Sequence, residues 1–294
     1  MERTAVLALL LSAVLVLLSG AAQKALARLL HRRPACVWFA PLLFTAIFAA
    51  SAALAGAASL PLIVLILVYT AIPVALAFLQ GPAIVTRPSA RDFLIILSLW
   101  LPLEFAVGAR LVPRHAQGFL HSVAYGIAIL LALILFAGFR SVTGLKYNLP
   151  RHSSDYWLPF AAFAILAPIL AVCGIALGFI PYPHASTQSA GRMLSTAAII
   201  FVGTALPEEI LFRSLIQNLL MLRFGSNNRT LFAASFIFGC AHLNNGPQPL
   251  PNWRYMILAT IAGVAYGAVF RRASTVLSSA TLHAAVDWTK HIFF

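Results

Sequence analysis

The sequence predicts an all-α protein, a polytopic bundle of transmembrane helices with about eight to ten spans. Apolar residues make up 61% of its 294 positions, whereas charged residues make up only 9%. A soluble globule of this size needs far more polar surface, so the bilayer must be the solvent. Apolar stretches of about 20 residues, each long enough to cross the hydrocarbon core as a helix, recur between short basic or Pro/Gly-rich breaks.

The apolar runs define about ten candidate spans. The first run follows Arg3 and ends in small residues, as a secretory signal peptide does. Its removal would leave the cations of residues 24–33 on the translocated side, against the charge bias of the other loops, so we interpret it as a span. The predicted spans are 4–22, 37–56, 59–80, 93–109, 119–139, 157–181, 193–222, 230–244, 254–270 and 275–290.

The chain is strongly basic, with 20 Lys and Arg, 7 Asp and Glu and a formal charge of +13. Most of these cations lie in short loops, which is the positive-inside pattern of membrane proteins and not a nucleic-acid-binding face. Counted by alternate loops, 13 of the 20 fall on one side. We expect that side to be cytoplasmic and both termini to be outside, in a multi-pass protein of a bacterial-type inner or plasma membrane.

The chain has no linker long enough to mark a separate soluble domain. We expect residues 1–118 to form accessory transmembrane helices and residues 119–294 to form the functional core. The three cysteines, Cys36, Cys173 and Cys240, share no metal-ligand spacing and are interpreted as small packing residues.

Placing a charged side chain inside an apolar span costs at least about 2 to 3 kcal/mol of free energy, so each such residue needs a partner or a function. Three consecutive C-terminal spans contain such groups together with histidines. They are Glu208, Glu209 and Arg213 in the first; Phe238 and His242 in the second; and His283 and Asp287 in the third. Depth can be measured from the cytoplasmic end of each predicted span with a rise of about 1.5 Å per residue. Glu208 then lies at roughly 22 Å, His242 and Asp287 at roughly 18 Å, and His283 at roughly 12 Å. We therefore predict one shared site within the membrane.

Helical geometry separates the two glutamates, because adjacent residues point about 100° apart. Glu209 and Arg213 are four residues apart and are expected to pair along one face, which leaves Glu208 to face the site. His283 and Asp287 have the same spacing and can face one cavity. Phe238 is interpreted as a core residue.

These residue types suit the activation of a water molecule against an amide carbonyl. Glu208 would act as the base, and His242 and His283 would stabilise the oxyanion. Alternatively, Glu208, His242 and His283 would hold a divalent metal such as zinc with a position open for water. Two other functions also accommodate intramembrane Glu and His: a proton- or ion-coupled transporter, and a non-catalytic membrane scaffold or immunity protein.

In order and spacing, the three elements resemble the CAAX prenyl endopeptidase and bacteriocin-processing family of membrane proteases. The family pattern is E-E-x-x-x-R, then F-x-x-x-H, then H-x-x-x-N or H-x-x-x-D. Glu208, Glu209 and Arg213 match the first motif, Phe238 and His242 the second, and His283 and Asp287 the third. The resemblance covers roughly residues 155–292.

The resemblance implies an intramembrane endopeptidase that cuts a membrane-associated protein or peptide near its end. Glu208 would activate water together with His242, while His283 and Asp287 support the oxyanion or the substrate. Glu209, Arg213 and Phe238 would have supporting roles. The third motif ends here in Asp287, so the amide donor that other members carry at this position is replaced by a carboxyl group.

Overall fold

The computed structural model describes residues 2–246 and 248–294, and every regular element in that part of the chain is helical. The predicted all-α fold is therefore confirmed. Six helical stretches are long and apolar enough to cross a membrane, and a bent pair near the N-terminus adds a seventh if it counts as one span. The six are Pro34–Leu54, Leu60–Phe78, Arg114–Phe139, Ser154–Ala176, Ala190–Phe224 and Trp253–Arg272. The protein is an integral multi-pass membrane protein.

The chain divides into two compact units, the first ending at Thr143 and the second beginning at Gly144. This division by packing does not test the functional division expected after residue 118, which stays a prediction. The helices of the first unit are α1 (Glu2–Val16), α2 (Gly20–Arg32), α3 (Phe39–Leu54), α4 (Leu60–Phe78), α5 (Ala90–Glu104) and α6 (Arg114–Leu133), with a π-helical extension of α6 over Ile134–Phe139.

The second unit contains every residue predicted for the site. Its helices are α7 (Ser154–Ala176), α8 (Ala190–Ile200), α9 (Leu206–Glu209), α10 (Asn218–Phe224), α11 (Asn228–Cys240), α12 (Trp253–Arg272) and α13 (Val276–Phe293). Helices α8 to α10 form one long helical stretch, joined by π-helical segments over Phe201–Ala205 and Ile210–Gln217.

Helix α12 is central to this unit and packs against α7, α11 and α13. Two of its glycines, four residues apart, allow the close approach. A Cβ on Gly263 would lie 3.1 Å from the Phe238 ring, and a Cβ on Gly267 would lie 2.5 Å from a methyl group of Leu231. Such small residues on one face are typical of helices that pack closely in a membrane.

Polar residues at the helix starts fix where the site-bearing helices begin. The side chains of Asn227, Asn252 and Thr275 accept backbone N–H groups at the first turns of α11, α12 and α13. Each satisfies a donor that the helix itself leaves without a partner.

The span prediction needs three corrections. The first predicted span, 4–22, is a pair of helices bent by 88°, because the chain is extended at Ser19 before α2 begins at Gly20. Helices α5 and α11 have 15 and 13 residues, or about 22 and 20 Å, which is short of the hydrocarbon thickness. Helix α13 is not among the stretches apolar enough to qualify.

Candidate active site

The two glutamates lie in an irregular part of a membrane helix. Glu208 and Glu209 end the short α-helical turn α9, with one π-helical segment before it and another after it. Such π-helical turns often occur at functional sites, because they change the direction of side chains along an otherwise regular helix. The helix therefore presents the acid pair at a local distortion.

Glu209 is completely buried, and both of its carboxylate oxygens are paired. Its Oε2 accepts a hydrogen bond from Nε of Arg213 over 3.2 Å, as the four-residue spacing predicts. Its Oε1 accepts a hydrogen bond from Nδ1 of His283 over 3.1 Å. The first contact was expected from the sequence, whereas the second was not. Glu209 thus joins α9 to α13 and orients the imidazole.

His283 is surrounded by carboxylates and is almost fully buried. Its Nδ1 faces Glu209, while its Nε2 lies 3.4 Å from Oδ2 of Asp287 and 3.9 Å from Oε2 of Glu208. Carboxylate oxygens accept hydrogen bonds, so this arrangement uses imidazole N–H groups. The four-residue spacing predicted that His283 and Asp287 face the same way, and in the structure they also contact each other across one helical turn.

The side chain of Glu208 differs from that of Glu209, which pairs with Arg213 and His283. Among the residues that the structure describes, its Oε2 is buried and has no hydrogen-bond partner. The nearest nitrogen is Nε2 of His283 at 3.9 Å, which is beyond hydrogen-bond distance. This oxygen retains its full capacity to accept a proton or a hydrogen bond.

The predicted span 230–244 placed His242 within a helix, but this is wrong. Helix α11 ends at Cys240, and His242 is in the turn that follows. Its Nδ1 lies 2.8 Å from the carbonyl oxygen of Phe238, which can only accept, so Nδ1 carries the hydrogen. In the neutral ring Nε2 is then the acceptor. Asn252 holds this turn by donating from its backbone N–H to Leu243 and from its side chain to Asn245.

Aromatic rings fill the space between the two histidines. Phe238 makes edge contacts with both, at centroid distances of 4.7 Å to His242 and 5.7 Å to His283. Tyr266 stacks on His283 at 4.6 Å, and Tyr255 meets His242 edge-on at 4.5 Å. The interpretation of Phe238 as a core residue agrees with its burial, and it also separates the two imidazoles.

A mostly apolar cavity of about 90 Å³ opens beside these rings. His242, His283 and Asp287 line it, together with Tyr255, Tyr266 and Lys290. The last three were not predicted as site residues. Tyr255 and Tyr266 are 11 residues apart, close to three helical turns, so their shared face was a signal that the sequence already contained.

The described residues do not form a metal site. Among residues 2–246 and 248–294, no group of three or more His, Cys, Asp and Glu side chains is arranged so that it could hold a metal ion. The set considered from the sequence was Glu208, His242 and His283. Of these, His283 has both ring nitrogens directed at carboxylates.

The site buries Glu209, His242 and His283 in a bundle of membrane helices, and both histidines line an apolar cavity. Residues 190–289 match the model of a family described as Type II CAAX prenyl endopeptidase Rce1-like. The match covers about a third of the chain, includes all seven predicted site residues and confirms the resemblance seen in the three motifs. It indicates a peptidase. No match was found among curated proteins or solved structures.

Proposed function

We propose that this protein is an intramembrane endopeptidase that hydrolyses a peptide bond of a membrane-associated protein or peptide, with Glu208 activating the water. The observation that carries the proposal is the buried Oε2 of Glu208, which lacks a hydrogen-bond partner among the described residues and faces Nε2 of His283 from 3.9 Å. A buried acceptor without a partner is costly, and such groups occur where a function needs them.

In the proposed reaction, Glu208 takes a proton from a water molecule, and Nε2 of His242 accepts a second hydrogen bond from the same water. The resulting hydroxide attacks the carbonyl carbon of the scissile bond. Glu208 then returns the proton to the leaving nitrogen as the C–N bond breaks. A positioned base of this kind typically contributes about 10² to 10⁴ in rate.

The oxygen of the tetrahedral intermediate would accept a hydrogen bond from Nε2–H of His283. Glu209 holds this ring from the other side through Nδ1. Asp287 lies 3.4 Å from Nε2, far enough for the N–H to be shared with an oxygen in the cavity. One oxyanion donor is worth about 10² to 10³ in rate. Asp287 therefore positions the donor in the proposed reaction.

The family description supports a substrate that ends in a CAAX sequence, and we extend this to the present chain. In such sequences a prenylated Cys precedes three C-terminal residues. A prenyl chain would keep the substrate in the bilayer, beside the apolar wall of the cavity. The expected location remains a bacterial-type inner or plasma membrane.

The test is cleavage of an S-farnesylated peptide, ending in Cys and three further residues, by purified protein in lipid nanodiscs. Glu208→Gln keeps the size of the side chain and removes the base, so we expect a loss of at least about 10²-fold with the fold retained. Glu104→Gln is the matched control, because Glu104 accepts a hydrogen bond from Trp100 in the first unit. It should leave cleavage unchanged.

If the Glu208→Gln protein cleaves the peptide at an undiminished rate, the proposal is wrong. The same preparations are analysed for bound metal and treated with chelators. We expect less than one metal per chain and no inhibition by chelators. A stoichiometric metal whose removal abolishes cleavage would instead support the metal-dependent alternative.

A further inference from the structure

Lys290 is a charged residue in the wall of the site cavity that the proposed reaction does not use. It lies on α13, one residue beyond the segment that matches the family, and on the cavity-lining face that also carries His283 and Asp287. We propose that Lys290 binds the C-terminal carboxylate of the substrate and thereby fixes the length of the peptide that leaves. This inference rests on the proposed function, because it identifies one end of the substrate in the same site.

The surroundings of Lys290 leave its ammonium group available to an anion. Nζ lies 4.7 Å from the ring centroids of both Phe179 and Tyr255. Within the described part of the chain it forms no ion pair within 4.0 Å and donates no hydrogen bond. An ammonium has three donors, and two ring faces do not replace an acceptor. The nearby acid on its helix, Asp287, directs Oδ2 at His283 instead.

Tyr255 connects this cation to the reacting groups. Its ring centroid lies 4.7 Å from Nζ of Lys290 and 4.5 Å from the centroid of the His242 ring. Lys290 is an exposed residue that also lines the cavity of the proposed reaction. An anion bound to it would share the cavity that His242 and His283 line.

The separation of His283 and Lys290 along α13 determines how many peptide residues fit between them. Lys290 follows His283 by seven residues, which corresponds to about 10 Å along a helix axis. An extended peptide covers about 3.3 to 3.6 Å per residue, so three residues span about 10 to 11 Å, whereas two span about 7 Å and four about 14 Å. With its scissile carbonyl at His283, a leaving peptide of three residues brings its carboxylate to Lys290.

The experiment measures equilibrium binding, so that it does not depend on turnover. Glu208→Gln protein in nanodiscs without anionic lipid is titrated with a fluorescent, S-farnesylated peptide that ends in Cys and three residues with a free carboxylate. The C-terminal amide of the same peptide is the comparison. We expect the acid to bind about tenfold or more tightly than the amide, since a charge-assisted hydrogen bond is lost in the amide.

The variant Lys290→Met should abolish this preference, and Lys290→Arg should retain most of it. Arg254→Met is the matched control, because Arg254 lies at the start of the adjacent helix α12 and donates to Gly178 outside the cavity lining. It should keep the preference unchanged. Peptides with two, three or four residues after Cys should show the greatest acid preference at three.

Equal binding of acid and amide by the protein that contains Lys290 would overturn the inference. So would an acid preference that persists in Lys290→Met. A third outcome also rejects it. If Lys290→Met weakens binding of vesicles with anionic phospholipid but leaves the ratio of acid to amide binding unchanged, the anion at Lys290 is a lipid phosphate. If the acid preference is found but the unmodified protein cleaves no peptide, the carboxylate site stands and the proposed function fails.

Discussion

Arg213 is the most unusual residue of the site, because its guanidinium is fully buried with one carboxylate partner. Among the described residues, Nη1 and Nη2 have no hydrogen-bond acceptor. The group instead lies over the rings of Phe238 and Tyr266, at 4.8 and 5.8 Å from their centroids. Since these rings contact His283, Arg213 supports the imidazole through the acid Glu209 and through aromatic packing.

Removing one partner of the buried Glu209–Arg213 pair should destabilise the protein. We expect Arg213→Met to lower the free energy of unfolding by about 3 to 5 kcal/mol, because the Glu209 carboxylate loses its cation in a buried environment. Glu209→Gln combined with Arg213→Met should recover part of that loss. Denaturant unfolding in detergent, followed by tryptophan fluorescence, measures all variants. Additive losses in the double variant would contradict the coupling.

At the residue scale the sequence predicted contacts within a helix better than contacts between helices. The pairs Glu209–Arg213 and His283–Asp287 follow from helical spacing alone, and both are present. The contact of Glu209 with His283 joins residues 74 positions apart, and no local rule predicts it. The catalytic roles assigned to these residues stay predictions.

The position of the second motif depends on how α11 ends and how it meets α12. Gly239 is one residue before the end of α11. A Cβ there would lie 2.0 Å from Oγ1 of Thr260 and 2.7 Å from the backbone oxygen of Met256. Only glycine permits this approach, and Phe238 and His242 lie on either side of it. The packing of two helices therefore fixes the location of the His242 ring.

Gly239→Ala should separate the two helices and displace the second motif. We expect a loss of about 1 to 3 kcal/mol in the free energy of unfolding, as overpacking of an interior typically costs. Cleavage should also fall. Gly191→Ala is the control, because a Cβ at Gly191 would meet nothing within 4 Å. Thermal unfolding of both variants measures the difference, and equal melting temperatures would refute the role of this contact.

At the element scale, hydropathy identified where helices occur but not how they end or bend. The apolar run of α11 continues to Leu243, so the predicted span included His242, whereas the helix ends at Cys240. The amino-acid composition around Glu208 does not predict the π-helical segments there. They depend on which hydrogen bonds the folded bundle favours, and this is set by packing against neighbouring helices.

For the whole molecule, composition determined the solvent and the fold class, while topology rests on a weaker signal. The charge bias is summed over many loops, so one span that fails to cross the membrane reverses the orientation of everything after it. The bent pair α1–α2 and the short helices α5 and α11 are such cases. Orientation is therefore best tested across a stretch whose own crossing is clear.

The helical stretch Ala190–Phe224 has 35 residues and passes the length and hydropathy criteria for a span. Positions just beyond its two ends should therefore react with reagents from opposite sides. Ser226 lies between Arg223 and Arg229 and is expected on the cytoplasmic side, because basic loops are retained there. Thr187 precedes the stretch and is expected outside.

With Cys36, Cys173 and Cys240 replaced by alanine, Thr187→Cys and Ser226→Cys are labelled in intact cells by a membrane-impermeant maleimide. We expect labelling at position 187 and protection at 226 until the cells are lysed. The reverse pattern would show that the charge count assigned the wrong orientation. Labelling of both positions in intact cells would show that the stretch enters and leaves on one side, and the acid pair would then lie in a re-entrant segment and not in a span.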